Sequence, residues 1–219
     1  SWVLVPHAII DNKHFQEYLN AKGRSHSARQ GVRGVYRPKG KSMDRRFVKA
    51  KKTLKFPAKG VCVTAAVIKG KIRVWHYIEG KWNAARACEM YKKVLAPALR
   101  KAYPGKAKFK VLEDNDPAGY KARSAIATKK EVGIEVMELP KRSPDLNVLD
   151  YCLWHEINVR MRKQEQSFRT SFKESEEAFK KRLRRTAIML PKSLVTRAVG
   201  DMVRRCALLK KAKGGLFEE

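Results

Sequence analysis

Two β-rich apolar segments with almost nothing between them set the architecture of this chain. Val61 to Lys69 and Ile72 to Glu79 are each long enough for a strand, and Gly70-Lys71 is all that separates them. A two-residue connection containing Gly joins neighbouring strands as an antiparallel hairpin. Beyond the hairpin, helices and strands alternate. Asn83 caps a helix over Ala84 to Tyr103, in which Met90, Val94, Leu95, Ala98 and Leu99 recur at helical spacing and Pro97 predicts a kink. Phe109 to Glu113 reads as a strand. Asp116 and Pro117 read as the cap and first residue of a helix running to about Glu131, which Gly133 ends. Ile134 to Leu139 is a further strand. After the turn Pro140-Lys141-Arg142-Ser143-Pro144, a helix starts near Asn147 with Leu149, Leu153, Ile157 and Met161 as its buried stripe.

Upstream of the hairpin, Trp2 to Ile10 is apolar and reads as a buried strand that starts after Pro6 and ends at Asp11. Strands that alternate with helices pair in parallel through crossovers. The expected fold is therefore α/β, a mixed sheet with helices on its faces. The last fifty residues are helical only. Phe179, Leu183, Ala187 and Leu190 mark one apolar face, and Val195, Val199, Met202, Cys206 and Leu209 mark another.

Charge narrows the function. The 219 residues carry 50 Lys and Arg against 21 Asp and Glu, a formal net charge of +29. Self-repulsion of that size is most easily relieved by a polyanion. Residues 22–60 concentrate it, with fourteen Lys or Arg and the single acid Asp44, punctuated by Gly and Pro. Within this insert, Lys39, Lys41, Arg45, Arg46, Lys49, Lys51 and Lys52 are the densest cluster and are expected to lie along phosphates, as are Lys141 and Arg142 in the later turn. A second cluster, Lys180, Lys181, Arg182, Arg184 and Arg185, falls in the C-terminal helical part, where a solvated helix face is the competing reading.

Other classes are unsupported. The longest apolar run, Val61 to Ile68, is too short to span a membrane, and no signal-peptide pattern is visible. Cys62, Cys88, Cys152 and Cys206 are scattered like reduced core thiols, and Cys152 with His155 lacks the second pair that a zinc site needs. Trp75, Trp82 and Trp154 read as core residues rather than base-stacking platforms.

Three carboxylates stand at comparable places in this scheme. Asp11 ends the first strand, Asp114 ends the fourth, and Asp150 lies one turn into the helix after the fifth. Adjacent first and fourth strands would bring Asp11 and Asp114 together, with Asp150 approaching from the helix. Convergent carboxylates need a cation, and oxygen-only ligands suit Mg²⁺ or Mn²⁺. Two such ions can activate water or a 3′-hydroxyl against a phosphodiester. Spacing alone leaves Glu113, Asp116 and Asp145 as competitors, and each Asp has an ordinary role in a turn or at a helix start.

Ser143-Pro144-Asp145-Leu146-Asn147-Val148-Leu149-Asp150-Tyr151, with Trp154 after it, resembles the Ser-Pro-Asp-Leu-Asn motif of mariner-type transposases. In that family the motif leads into the third catalytic carboxylate, here Asp150. Glu113-Asp114-Asn115-Asp116-Pro117 resembles the family's Asp-Asn motif and selects Asp114. Asp11 to Phe15 resembles its Asp-Glu motif and selects Asp11, although Asn12 stands where Glu is usual. Gly119 stands where His is frequent, with Tyr120 next. Thirty-five residues separate Asp114 from Asp150, as is typical of the superfamily.

The resemblance covers residues 2 to 165. It implies a ribonuclease H-like catalytic domain over 1–165 with the basic insert at 22–60, and a helical extension over 166–219. It further implies cut-and-paste transposition by a homodimer acting on double-stranded DNA, both transposon ends and target; a DNA substrate and the Lys/Arg runs point to the nucleus of a eukaryotic source. Two Mg²⁺ or Mn²⁺ ions per site would be held by Asp11, Asp114 and Asp150, with Asp11 bridging them. Family members carry helix-turn-helix modules before this domain, and the sequence given starts at the first strand, as expected of a catalytic portion or a derived relative. The alternatives are a domesticated relative that binds DNA without cutting and a nuclease on the same fold.

Overall fold

The computed structural model describes residues 6–16, 60–140, 143–168 and 174–212. The Lys and Arg residues singled out in the insert, with Lys141 and Arg142, lie outside them. The described residues form a five-stranded sheet of β1 (Ala8–Gln16), β2 (Gly60–Ile68), β3 (Lys71–Ile78), β4 (Phe109–Glu113) and β5 (Ile134–Glu138), in the order β3-β2-β1-β4-β5. The pairs β1–β2 and β2–β3 are antiparallel, and β1–β4 and β4–β5 are parallel. This is the mixed sheet expected from one hairpin followed by alternating elements.

Two boundaries differ from the sequence reading. The hairpin turn is Lys69-Gly70, not Gly70-Lys71, and both residues adopt positive φ, 51° and 69°. That left-handed pair is the turn whose twist matches a hairpin, and Gly70 makes it feasible beside a strained Lys. The first strand does not end at Asp11. It runs on to Gln16, because β2 supplies an unbroken antiparallel partner from Ile9↔Val67 to Gln16↔Gly60. The polar run Asp11-Asn12-Lys13-His14 looks like a turn only when that neighbour is ignored.

Side chains alternate across the sheet with period two, and each face has its own core. Ile9, Phe15, Val61, Val63, Ala65, Val67 and Leu112 pack against three helices: α4 (Trp154–Gln166), α5 (Glu176–Ile188) and α6 (Lys192–Lys211). Ala8, Ile10, Ala66, Ile68 and Val111 pack on the other face against α1 (Ala84–Glu89), α2 (Ala96–Ala102) and α3 (Arg123–Val132). The stripes Leu149-Leu153-Ile157-Met161 and Phe179-Leu183-Ala187-Leu190 are buried as the spacing requires. No described helix is long and apolar enough to cross a membrane, and all four cysteines are free.

Asn83 caps α1 through its side chain, which accepts the Arg86 N–H at 3.1 Å. At Pro97 the helix changes form: it widens into a π-helical segment, Met90–Leu95, and resumes with Pro97 in the first turn of α2. The helix expected to start at Pro117 starts six residues later, at Arg123. Asp116 spends its capping capacity on a tight turn, accepting the N–H groups of Ala118 and Gly119 at 3.1 and 3.0 Å. Gly133, at φ 79°, ends α3 as anticipated.

Candidate metal-dependent active site

Asp11 stands where the β1–β4 ladder gives out. Ile9 pairs with Leu112, and β4 ends one residue later at Glu113. Two steps along β1 from Ile9, Asp11 is level with Asp114 and shares the sheet face of Ile9, towards α4. A polar residue in mid-strand is held there by its partners. Trp154 Nε1 donates to Asp11 Oδ2 at 2.7 Å, and Asp11 itself is 8% exposed.

Asp150 reaches the same place from the π-helical turn Leu149–Leu153 that leads into α4. Asn147 seats this turn. It is buried, donates from Nδ2 to the Ile10 carbonyl at 3.3 Å, and accepts the Leu149 N–H on Oδ1 at 3.1 Å. One amide side chain thus ties the start of the Asp150 turn to the residue before Asp11. Trp154 follows Asp150 by four positions, one helical turn. The two carboxyl groups are near enough for each to act on the protonation of the other.

Asp114 sits at the rim, exposed, with Oδ1 accepting the Asn115 N–H at 2.6 Å. Asn115 Nδ2 donates to the Leu139 carbonyl at 2.6 Å and fastens this loop to the end of β5. The structure therefore brings Asp11 and Asp150 close together. It places Asp114 close enough to act on both through its charge, but turned towards its own loop. No group of three or more His, Cys, Asp or Glu side chains among the described residues is drawn together tightly enough to hold an ion as placed.

The electrostatics reflect that crowding. Burial, and then the Asp150 charge, raise the Asp11 pKa to about 7 against the opposing hydrogen bond from Trp154, with Asp114 adding to the rise. Much of Asp150 faces solvent, yet its carboxyl end is crowded and its pKa is also raised. Lost hydration is the main cause, Lys13 and the bond to Asp11 oppose it, and Asp114 and Asp145 reinforce it. None of the ion pairs among the described residues includes Asp11, Asp114 or Asp150.

The competing carboxylates are otherwise engaged. Glu113 points to the opposite face, buried, where it takes a hydrogen bond from the Tyr91 hydroxyl and a salt bridge from Lys129. Asp116 accepts Trp82 Nε1 at 2.8 Å besides its two backbone donors. Gly119 has no room for a side chain, since a Cβ there would stand 2.1 Å from Trp82 Nε1. The Trp82–Asp116 pair thus fills the space that a His at position 119 would need. Trp154, Asn147 and Asn115 are positioning residues that reading the sequence for carboxylates did not single out. The signals available were the helical spacing of Trp154 from Asp150 and the places of Asn147 and Asn115 in the two quoted motifs.

The sequence family described as DDE superfamily endonuclease matches residues 24–173. The chain belongs to that family. The matched span includes Asp114 and Asp150, and Asp11 lies before it. Among solved structures, this endonuclease is similar to the catalytic domain of Mos1 mariner transposase. The TM-score is 0.66 at 18% identity, over 96% of this chain and 83% of that one. It is also similar to Mos1 in its paired-end complex with Mn (TM-score 0.67, 19% identity, 96% of this chain and 56% of that one). The paired-end complex with the left transposon end gives a TM-score of 0.68 at 20% identity, over 99% of this chain and 57% of that one. The endonuclease thus spans a little over half of the Mos1 chain in those complexes. The shared fold is ribonuclease H-like, as the strand order of the sheet requires. No curated protein sequence matches significantly.

Proposed function

We propose that this endonuclease is the catalytic part of a mariner-like transposase, cutting and joining DNA with divalent cations held by Asp11, Asp114 and Asp150. The observation that carries this reading is the closeness of Asp11 and Asp150, beside the end of β4 and Asp114, with no ion pair to any of the three among the described residues and Lys13 acting on Asp150 only from longer range. A donor set of carboxylate oxygens fits Mg²⁺ or Mn²⁺, and Mos1 has been crystallised with Mn. A bound pair of such ions supplies a polarised phosphate and an activated water or 3′-hydroxyl.

The chain's own residues do the rest. Asp11, on the sheet face under α4, would hold a cation together with Asp150 in its ionised form. Trp154 keeps Asp11 Oδ2 in one orientation. Asn147 and Asn115 hold the two segments that carry Asp150 and Asp114. The basic insert and the turn at Lys141 and Arg142 would bring duplex DNA over these carboxylates through phosphate contacts. A homodimer would pair two transposon ends, in keeping with the paired-end complexes of Mos1.

Nicking of supercoiled plasmid with Mn²⁺ tests the reading. The parent chain nicks, and Asp11→Asn, Asp114→Asn and Asp150→Asn each abolish nicking while duplex binding persists. Nicking that survives any one of these substitutions contradicts the assignment. Plasmid binding by a parent that shows no nicking favours the non-cutting relative instead.

A further inference from the structure

Three surface recesses differ in their charge balance. The one beside Tyr151 and Cys152 carries Arg197 and Arg205, but Glu156 and Asp201 with them. The one under His14 and Phe15 sets Arg162 against Glu165. The third is an open groove of about 420 Å³ between α4 and α5, lined by Arg160, Lys163, Gln164, Arg185, Thr186 and Met189, with no acid at all. Arg160 is engaged by Glu156 at 2.6 Å. Lys163 and Arg185 are exposed, and neither belongs to an ion pair among the described residues. Gln164 Nε2 donates to Thr186 Oγ1 at 3.2 Å across the floor.

The basic run on α5 sorts in the same direction. Arg182 turns inward, paired with Glu165 at 3.0 Å and Glu174 at 2.5 Å. Lys180 pairs with Glu176 at 2.6 Å. Lys181, one helical turn before Arg185, stays exposed and adds to the groove's side of the helix. A concave surface with unpaired cations and no acid, on a chain of net charge +29, fits a phosphate backbone better than a neutral partner.

We propose that the groove between α4 and α5 is a second contact for the backbone of duplex DNA, separate from the carboxylates. Lys163 lies thirteen residues beyond Asp150 along a nearly continuous helix. At 1.5 Å per residue that is about 20 Å. Thirteen residues also turn a helix to nearly its opposite side, so the groove meets duplex backbone at a place apart from the scissile phosphate. The inference rests on the reading that this endonuclease acts on DNA, and needs neither transposition nor any particular end sequence.

The test is duplex binding measured against salt concentration. Lys163→Gln/Arg185→Gln in the full chain is compared with Arg100→Gln/Lys101→Gln, a control on α2. The control removes the same charge from exposed positions on the opposite face of the sheet. Each lost phosphate contact lowers the slope of log affinity against log salt by about 0.9. The groove variant is expected to lose about two from the slope, bind more weakly at every salt concentration, and keep its melting temperature. The control is expected to keep the parent slope. An unchanged slope in the groove variant, or an equal fall in the control, overturns the proposal while leaving the DNA reading standing. A parent chain that binds no duplex overturns both.

Discussion

Glu113 and Asp114 are neighbours in sequence with opposite fates. Glu113 ends β4 on the inner face, where Lys129 and Tyr91 surround a carboxylate with almost no exposure. Burial outweighs the Lys129 charge and raises the Glu113 pKa, but the protein itself supplies the compensating cation. Asp114, one residue on, turns to the rim beside Asp11 and Asp150, where none of the three has an ion-pair partner among the described residues and Lys13 acts on Asp150 only from longer range. A carboxylate compensated from within serves the fold. Carboxylates crowded together without compensation leave a place for a cation from outside.

Substitutions can break this contrast, beginning with the largest effect. Asp114→Asn is expected to lower Mn²⁺-dependent nicking by roughly 10³-fold, the several kcal/mol that a metal ion contributes to stabilising transition-state charge. The melting temperature is expected to stay put, since Asp114 is exposed. Plasmid nicking and thermal denaturation, run side by side, check both halves.

Lys129→Met should do the reverse. It strands Glu113 in the core and is expected to cost about 3–5 kcal/mol of stability, read as a fall in the denaturant midpoint. The deficit should shrink as pH falls and Glu113 takes up a proton. Folded molecules should still nick. Glu113→Gln/Lys129→Met is expected to recover much of the loss.

Trp154→Phe sharpens the contrast at a positioning residue. It keeps most of the ring packing but removes the donor to Asp11, and this donor holds the Asp11 pKa down. Nicking is expected to fall by about 10–100-fold, with the acid limb of the pH–rate profile moving to higher pH. A loss with no change in profile would reduce Trp154 to a packing residue.

The smallest effect is on stability. Asp11 has a folded pKa of about 7, against 3.8 when unperturbed. The folded state therefore binds more protons between those values, and stability falls as pH rises through that window. Asp11→Asn should raise the melting temperature of the metal-free protein at pH 8 and leave it nearly unchanged at pH 4. A destabilised Asp11→Asn at pH 8 would mean that the carboxylate is compensated after all.

Much of the fold was legible because the signals were local and strong. The hairpin, the Asn83 cap, the Gly133 stop and the stripe from Leu149 to Met161 each depend on a few adjacent residues. Where reading the sequence failed, distant partners decided. The ladder with β2 carries β1 past Asp11, and the donor set around Asp116 delays α3 to Arg123. The site divides similarly. Spacing and the Ser-Pro-Asp-Leu-Asn resemblance pointed to three aspartates. That Asp11 and Asp150 come close while Asp114 turns to its own loop depends on Trp154 and Asn147, whose bonds bridge more than a hundred residues. No local pattern records such contacts.

The central claim is that these carboxylates, without an ion-pair partner among the described residues, hold a divalent cation. Calorimetric titration of the full chain with Mn²⁺ at pH 6.5, in two buffers of different ionisation heat, tests it most directly. The expected result is saturable binding that releases roughly one proton per site as Asp11 ionises, and that Asp11→Asn loses together with the proton. Mn²⁺ binding that Asp11→Asn leaves intact, or no binding by the parent chain, would contradict it.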